Sequence, residues 1–203
     1  KYNGKYTLLV SIGSGYRVYP LNKEITDRFY VLSDENVLNI PETTRVAITE
    51  SDLVSASGSE LGGGSFLPNH KGWYKTLATG EKVLSSPLIF MNKVMFTTFT
   101  PDSAAAEDGC SVASNKAQAY VLDITTTLAV DDLDGDGVPD ERIDLPPTDP
   151  IPTTPQIFIP PPSNCTKRGC DQPVVVRVGK KAIVGGIDIG ELLPKVYWLD
   201  NKK

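Results

Sequence analysis

Lys82-Val83-Leu84-Ser85-Ser86-Pro87-Leu88-Ile89-Phe90 is followed by Met91-Asn92-Lys93 and then by Val94-Met95-Phe96-Thr97-Thr98-Phe99-Thr100. Two runs rich in β-branched and aromatic residues, divided by a short break, read as a β-hairpin. Pro87 has no N–H to give to a strand ladder, so it predicts an edge position or a bulge inside the first strand.

The segments on either side extend this β reading. Tyr6 to Ile12 (YTLLVSI) has strand composition and runs into the turn signal Gly13-Ser14-Gly15, which predicts a buried strand and a tight corner. Arg28 to Leu32 is a second strand, closed by Ser33-Asp34-Glu35-Asn36, and Thr44 to Glu50 a third, short one. Ser51 to Asn69 turns to Ser and Gly, including Gly62-Gly63-Gly64, and reads as a loop. Gly72-Trp73-Tyr74 leads back into the hairpin; its aromatics read as buried anchors of a strand pair, with stacking on a sugar as the alternative.

Beyond the hairpin, Ser103 to Asn115 is a small-residue loop carrying Cys110, and Ala117 to Ile124 is another strand. Most of the chain's prolines collect from Pro146 to Pro173, including Pro160-Pro161-Pro162, which predicts a stiff surface loop over residues 146–173. Only Gln156 to Ile159 looks strand-like within it. Pro173 to Val178 and Lys181 to Val184 form a hairpin around Gly179-Lys180, and Val196 to Leu199 makes a last strand. No segment longer than about ten residues has convincing helical periodicity. Short strands at these intervals predict an all-β fold, sandwich or propeller, with residues 1–203 forming one domain or a portion of one.

The richest chemistry lies in Asp132-Leu133-Asp134-Gly135-Asp136-Gly137-Val138-Pro139-Asp140. Carboxylates fall at loop positions 1, 3, 5 and 9, with Gly137 at position 6, the ligand rhythm of an EF-hand-type calcium site. Ca2+ takes many oxygen ligands in flexible geometry, so Asp132, Asp134, Asp136, the Val138 carbonyl and Asp140 make a coherent cage. Position 12, where an EF-hand places a bidentate Glu, is Ile143. The loop therefore reads as a nine-residue version, with Glu141, Asp144 or water left open as further ligands. A solvated acidic turn is the competing reading, since Asp and Gly both favour turns. Four carboxylates in nine residues repel one another unless a cation neutralises them, which favours the metal.

Twenty basic against twenty-five acidic residues leave a net charge of −5 with no basic cluster, which argues against nucleic acid as a partner. No run of about 20 apolar residues is present to span a membrane as a helix. The start at Lys1, on the approach to a strand, reads as a mature or excised piece whose targeting segment lay upstream. Cys165 and Cys170 enclose Thr166-Lys167-Arg168-Gly169, so a disulfide in an oxidising compartment and free thiols both remain open. The lone His70 has no nucleophile in a recognisable elbow, and Gly13-Ser14-Gly15 lacks the Lys-Ser/Thr continuation of a phosphate loop. No catalytic set emerges, and the chain is read as a non-enzyme.

Several blocks in order resemble the C-terminal domain of the PilY/PilC family of type IV pilus assembly and tip-associated adhesins. They are Gly13-Ser14-Gly15-Tyr16-Arg17 with Pro20-Leu21, Asp27-Arg28-Phe29-Tyr30-Val31-Leu32, Gly72-Trp73-Tyr74, Gly80-Glu81-Lys82-Val83 with Ser85-Ser86-Pro87-Leu88, and Phe96-Thr97-Thr98-Phe99-Thr100-Pro101. Cys110-Ser111-Val112, Tyr120-Val121-Leu122-Asp123 and the Asp132 to Asp140 loop follow. The resemblance implies a modified β-propeller, an extracellular or periplasmic setting at the pilus tip or cell surface, and calcium held by Asp132, Asp134, Asp136, Val138 and Asp140. It also implies roles in pilus assembly, extension–retraction balance and attachment, with pilins or minor pilins and a host or surface receptor as partners.

A full propeller at about 40 to 45 residues per blade needs roughly 280 residues. This chain of 203 covers only part of one, which leaves a fragment, a companion chain that completes the ring, and a reduced variant as the alternatives. No Arg-Gly-Asp is present to support integrin attachment. The alternatives are a propeller-type enzyme, quinoprotein-like or glycan-active, and a generic calcium-stabilised surface β domain.

Overall fold

The computed structural model describes residues 7–35, 47–57, 61, 64–101, 115–146, 151–158, 173–179 and 181–188. The chain is all-β, as expected: no α-helix occurs among the described residues, and the 3-10 turn Glu50–Asp52 is the one named helical element. Cys165 and Cys170, the Cys110 loop, Gly62-Gly63 and the strand expected at Val196 to Leu199 lie outside the described residues.

Three sheets follow one another along the chain. The first has the order β1-β2-β4-β3, from Leu8–Gly13 (β1), Arg28–Asp34 (β2), Val54–Ser55 (β3) and Gly72–Thr76 (β4). The second is built on Lys93–Thr100 (β7) and Lys116–Asp123 (β8). Lys82–Val83 (β5) and Leu88–Phe90 (β6) lie on one side of that pair and Arg142–Asp144 (β9) on the other. Gln156–Phe158 (β10), Pro173–Val178 (β11) and Lys181–Asp188 (β12) form the third. Successive small, mainly antiparallel sheets are the blade pattern of part of a β-propeller.

The hairpin forms where its sequence places it, with one change. Lys82 to Phe90 is two short strands, both paired with β7: Lys82↔Phe99 for β5 and Leu88↔Met95 for β6. The chain leaves the ladder around Pro87, which cannot donate to it. There the side chains Ser85 Oγ and Thr97 Oγ1 meet at 2.5 Å. Met91 and Asn92 turn the corner with φ of 50° and 61°, positive φ at both central residues as a type I′ turn requires. Asn92 is held there by its Nδ2, which donates to Asp123 Oδ2 at 2.7 Å.

The expected strand at Thr44 to Glu50 does not form in its described part. Residues 47–49 are irregular, and the Thr49 N–H and hydroxyl both donate to Asp52 Oδ2, a capping arrangement that bends the chain into the 3-10 turn. Asp and Thr satisfy backbone groups locally and so compete with the ladder. The strands β3 and β9, two and three residues long, carry too little pattern to be read in advance.

The core sits on both faces of β7 and β8. Val94, Phe96, Tyr120 and Leu122 point to the first sheet, where they join Phe29, Val31, Val54, Phe66 and Trp73. Met95, Ala117, Ala119 and Val121 point the other way, onto Val176, Val178 and Ile183 of the third sheet. In the first core Phe29, Phe96 and Tyr120 stack in series, with ring centroids 3.8 and 4.7 Å apart. Trp73 is fully buried, as its reading as an anchor expects, and its Nε1 donates to Ile124 O at 2.7 Å.

Gly72 is where the first sheet closes most tightly. Its φ is +154°, and a Cβ there would lie 2.1 Å from Val31 O and 3.0 Å from Leu32 Cα, both backbone atoms that cannot swing aside. Gly72→Ala therefore combines backbone strain with overpacking, about 1–3 kcal/mol each. Urea denaturation should show a loss of about 3 kcal/mol or more, large for one methyl group.

Candidate metal centre

Residues 124–141 connect β8 to β9, and the aspartate loop within them is tied off at its base. Asp140 N–H donates to Asp131 O at 2.7 Å, and Val121 N–H to Glu141 O at 3.0 Å. Lys93 Nζ pairs with Asp131 Oδ1 at 2.5 Å, both side chains largely shielded from water. Asp123 fastens the turn that leads into this loop, accepting from Thr125 N–H, Thr125 Oγ1 and Thr126 N–H at 2.7–2.8 Å. Burial alone would raise the Asp123 pKa, and these donors reverse it, leaving the carboxyl below its usual range.

Within the loop Asp132, Asp134 and Asp136 each offer a carboxylate oxygen, and these oxygens lie within 4.8 Å of one another on the exposed surface. The backbone creates this convergence. Asp132 Oδ1 accepts from Gly135 N–H at 2.7 Å and Asp136 N–H at 3.2 Å, while Oδ2 accepts from Gly137 N–H at 2.8 Å. Asp134 Oδ1 accepts from Asp136 N–H, and Asp136 Oδ1 from Val138 N–H. Gly137 holds φ of +89°, a left-handed conformation that costs a side-chain-bearing residue strain even with open space around it. The three carboxylates are thus aimed inward by amide donors, while their mutual repulsion is left for a cation to neutralise. Three hard oxygen donors with outer faces open to solvent fit a divalent cation of the calcium or magnesium type.

The structure distributes the sequence-predicted ligands unevenly. Asp132, Asp134 and Asp136 come together as expected. Asp140 receives Leu133 N–H on Oδ2 at 2.9 Å and closes the loop from its far end. Val138 lies on the open rim with its side chain 61% exposed. Glu141 and Asp144, open as further ligands, are engaged elsewhere: Glu141 with Lys75 at 2.8 Å, and Asp144 with Gln118 at 2.7 Å and Lys116 at 3.4 Å. Asp144 is part of β9, whose ladder with β8 sets it opposite Gln118. Lys93 and Asp131 went unrecognised as loop anchors; Asp131 adjoins the motif, but nothing local marks Lys93 as its partner.

A groove of about 350 Å³ begins where the loop ends, lined by Lys75, Glu81, Tyr120, Asp140, Glu141 and Arg142. Glu81 is 1% exposed and accepts from Tyr120 Oη at 2.9 Å and Ala78 N–H at 3.0 Å. Arg142 Nη1 donates to the same Tyr120 oxygen at 2.9 Å. Burial and the neighbouring Glu81 charge push the Tyr120 phenol strongly up, against the pull of Arg142, so it stays a neutral donor at all ordinary pH.

An all-β module bearing an exposed metal-capable aspartate loop is the class of protein that fold and site define. No family model matches the sequence, and no curated protein matches it. Among solved structures, the chain is similar to the Pseudomonas aeruginosa PilY1 C-terminal domain, with a TM-score of 0.52 and 13% sequence identity over 87% of this chain. It spans 41% of that chain, less than half its length. The likeness is distant, but it is a shared fold with the family that the sequence blocks resemble. No helix among the described residues is long and apolar enough to cross a membrane.

Two outcomes follow from these contacts. The amides of Gly137 first, then Gly135, hold the Asp132 carboxyl below its usual range. A carboxyl depressed in the folded state stabilises it fully above the ordinary aspartate pKa of about 3.9 and loses that contribution as pH falls through the folded value. In metal-free buffer, carboxyl-detected NMR should show Asp132 titrating below about 3.9 and the loop unchanged between pH 5 and 7. Tyr120→Phe removes a donor from the buried Glu81 carboxylate and an acceptor from Arg142. Thermal or urea denaturation should register a loss of about 1–3 kcal/mol.

Proposed function

We propose that this chain is a calcium-binding β-propeller module of a type IV pilus biogenesis or tip protein, working outside the cytoplasm through binding and not catalysis. The observation that carries this reading is the likeness to the PilY1 C-terminal domain over 87% of the chain. The convergence of Asp132, Asp134 and Asp136 in the loop supports the metal. The proposed partners are pilins or minor pilins, a host or surface receptor, and a companion segment supplying the rest of the propeller. Leu8, Val10 and Ile12 on one face of β1 are 49%, 47% and 54% exposed, an apolar strand face suited to such a segment.

The mechanism is binding linkage. Asp132, Asp134 and Asp136 would hold the ion, with the Val138 carbonyl and Asp140 as the further ligands that the spacing supplies. Calcium supplies the positive charge that the three clustered carboxylates lack. The Lys93–Asp131 pair and the Asp131–Asp140 bridge then hold a single loop shape beside β8 and β9, the surface offered to pilins. An ion that binds only this ordered loop stabilises it by about 2.7 kcal/mol at a hundredfold excess over Kd. Extracellular modules of this chemistry bind at about 10⁻⁴–10⁻³ M.

Calorimetric titration should give one calcium site in the wild-type chain and none in Asp132→Ala or Asp136→Ala; an unchanged affinity in either variant would sink the site. Immobilised protein should also retain purified pilins more strongly in calcium than in chelator. Equal or absent retention in both would remove the pilus role while leaving the metal site standing.

A further inference from the structure

Residues 14–27, between β1 and β2, form a loop without regular structure that is nevertheless fastened at many points. Ser14 N–H donates to Arg28 O and Val83 N–H to Ser14 O, at 2.8 and 3.1 Å. Ser14 Oγ donates to Asp27 Oδ1 at 2.7 Å, and Arg17 Nη1 to Leu84 O at 2.9 Å. Lys82 is 2% exposed and sends its ammonium to the carbonyls of Asn22 and Gly80. Among the described residues it makes no ion pair.

This anchored loop turns apolar surface outward. Tyr16 and Tyr19 are 62% and 65% exposed, and their rings stack at 5.9 Å with 21° between planes. With Ile25 they wall a cavity of about 320 Å³ whose most buried lining residues are Asp27 and Lys82. Aromatic walls over a few converging polar groups are the usual form of a small-ligand site.

We propose that this cavity binds a neutral hexopyranose unit. The apolar face of the sugar ring packs on the tyrosines, while its hydroxyls donate to the Asp27 carboxylate and accept from the Lys82 ammonium. An acceptor and a donor that both line the cavity distinguish this occupant from an apolar peptide side chain, which would bury both charges without replacing their water. The size suits one sugar ring, and the fastened loop requires little ordering on binding. The metal loop plays no part in this site, so the inference stands apart from the proposed pilus role.

Saturation-transfer NMR on the intact protein, with methyl glycosides of glucose, galactose and mannose and with N-acetyl-tyrosine amide as a peptide-like probe, tests it. At least one glycoside should receive saturation on its ring protons. Its affinity should fall about tenfold in Tyr16→Ala or Tyr19→Ala and persist in Tyr19→Phe. Both rings are exposed, so matching thermal midpoints will show that the variants remain folded. Transfer to no glycoside, undiminished transfer in the Tyr16→Ala/Tyr19→Ala double variant, or transfer to the tyrosine amide alone overturns the proposal.

Discussion

The pairing of β7 with β8 is the contact on which the remaining architecture depends. Both strands are buried along nearly their whole length, and both of their faces carry apolar side chains. Each face must therefore be covered, one by the first sheet through Phe29, Val31 and Trp73, the other by the third through Val176, Val178 and Ile183. Burial of these surfaces contributes about 25 cal/mol per Å², a drive that neither outer sheet could supply by itself. The same pair carries the metal loop at the end of β8, so the loop begins from one of the most thoroughly packed strands in the chain.

Rigidity at the base and openness at the tip define the site. Lys93, itself part of β7, neutralises Asp131 at the root of the loop, and the Asp131–Asp140 bridge keeps its two ends together. Above that base the carboxylates of Asp132, Asp134 and Asp136 are exposed and clustered. Backbone amides orient them but cannot cancel their charge, because an N–H contributes only a partial dipole. Three carboxylates already oriented in this way can hold a metal ion at a lower ordering cost than a loop without such contacts.

Two polar features inside the fold go beyond packing. The Glu81–Tyr120–Arg142 chain satisfies a buried carboxylate with a phenol and lies against the end of the metal loop, where Glu141 pairs with Lys75. Lys82, one residue after Glu81, faces the 14–27 loop and holds it by the Asn22 carbonyl. Adjacent residues of one short strand region thus support two separate surfaces, the aspartate loop and the tyrosine-walled cavity. A strand places successive side chains on opposite faces, which makes this division possible.

Sequence alone determined what depends on local chemistry. The hairpin of β6 and β7, the strands β1, β2, β8 and β11, and the aspartate loop with Gly137 at its sixth position were legible, because strand composition, turn residues and ligand spacing act over fewer than about ten residues. The expected burial of β1 does not hold, since Leu8, Val10 and Ile12 face solvent at the edge of the first sheet. The resemblance to pilus adhesins was legible as an order of blocks and reappears as a distant structural likeness. Tertiary structure decided what depends on distant partners. The diversion of Glu141 and Asp144 to Lys75, Gln118 and Lys116, and the anchoring of Asp131 by Lys93, each set a local preference against a contact far along the chain. Short strands such as β3 and β9 exist only because a longer neighbour offers them a ladder, so no window of sequence contains their cause.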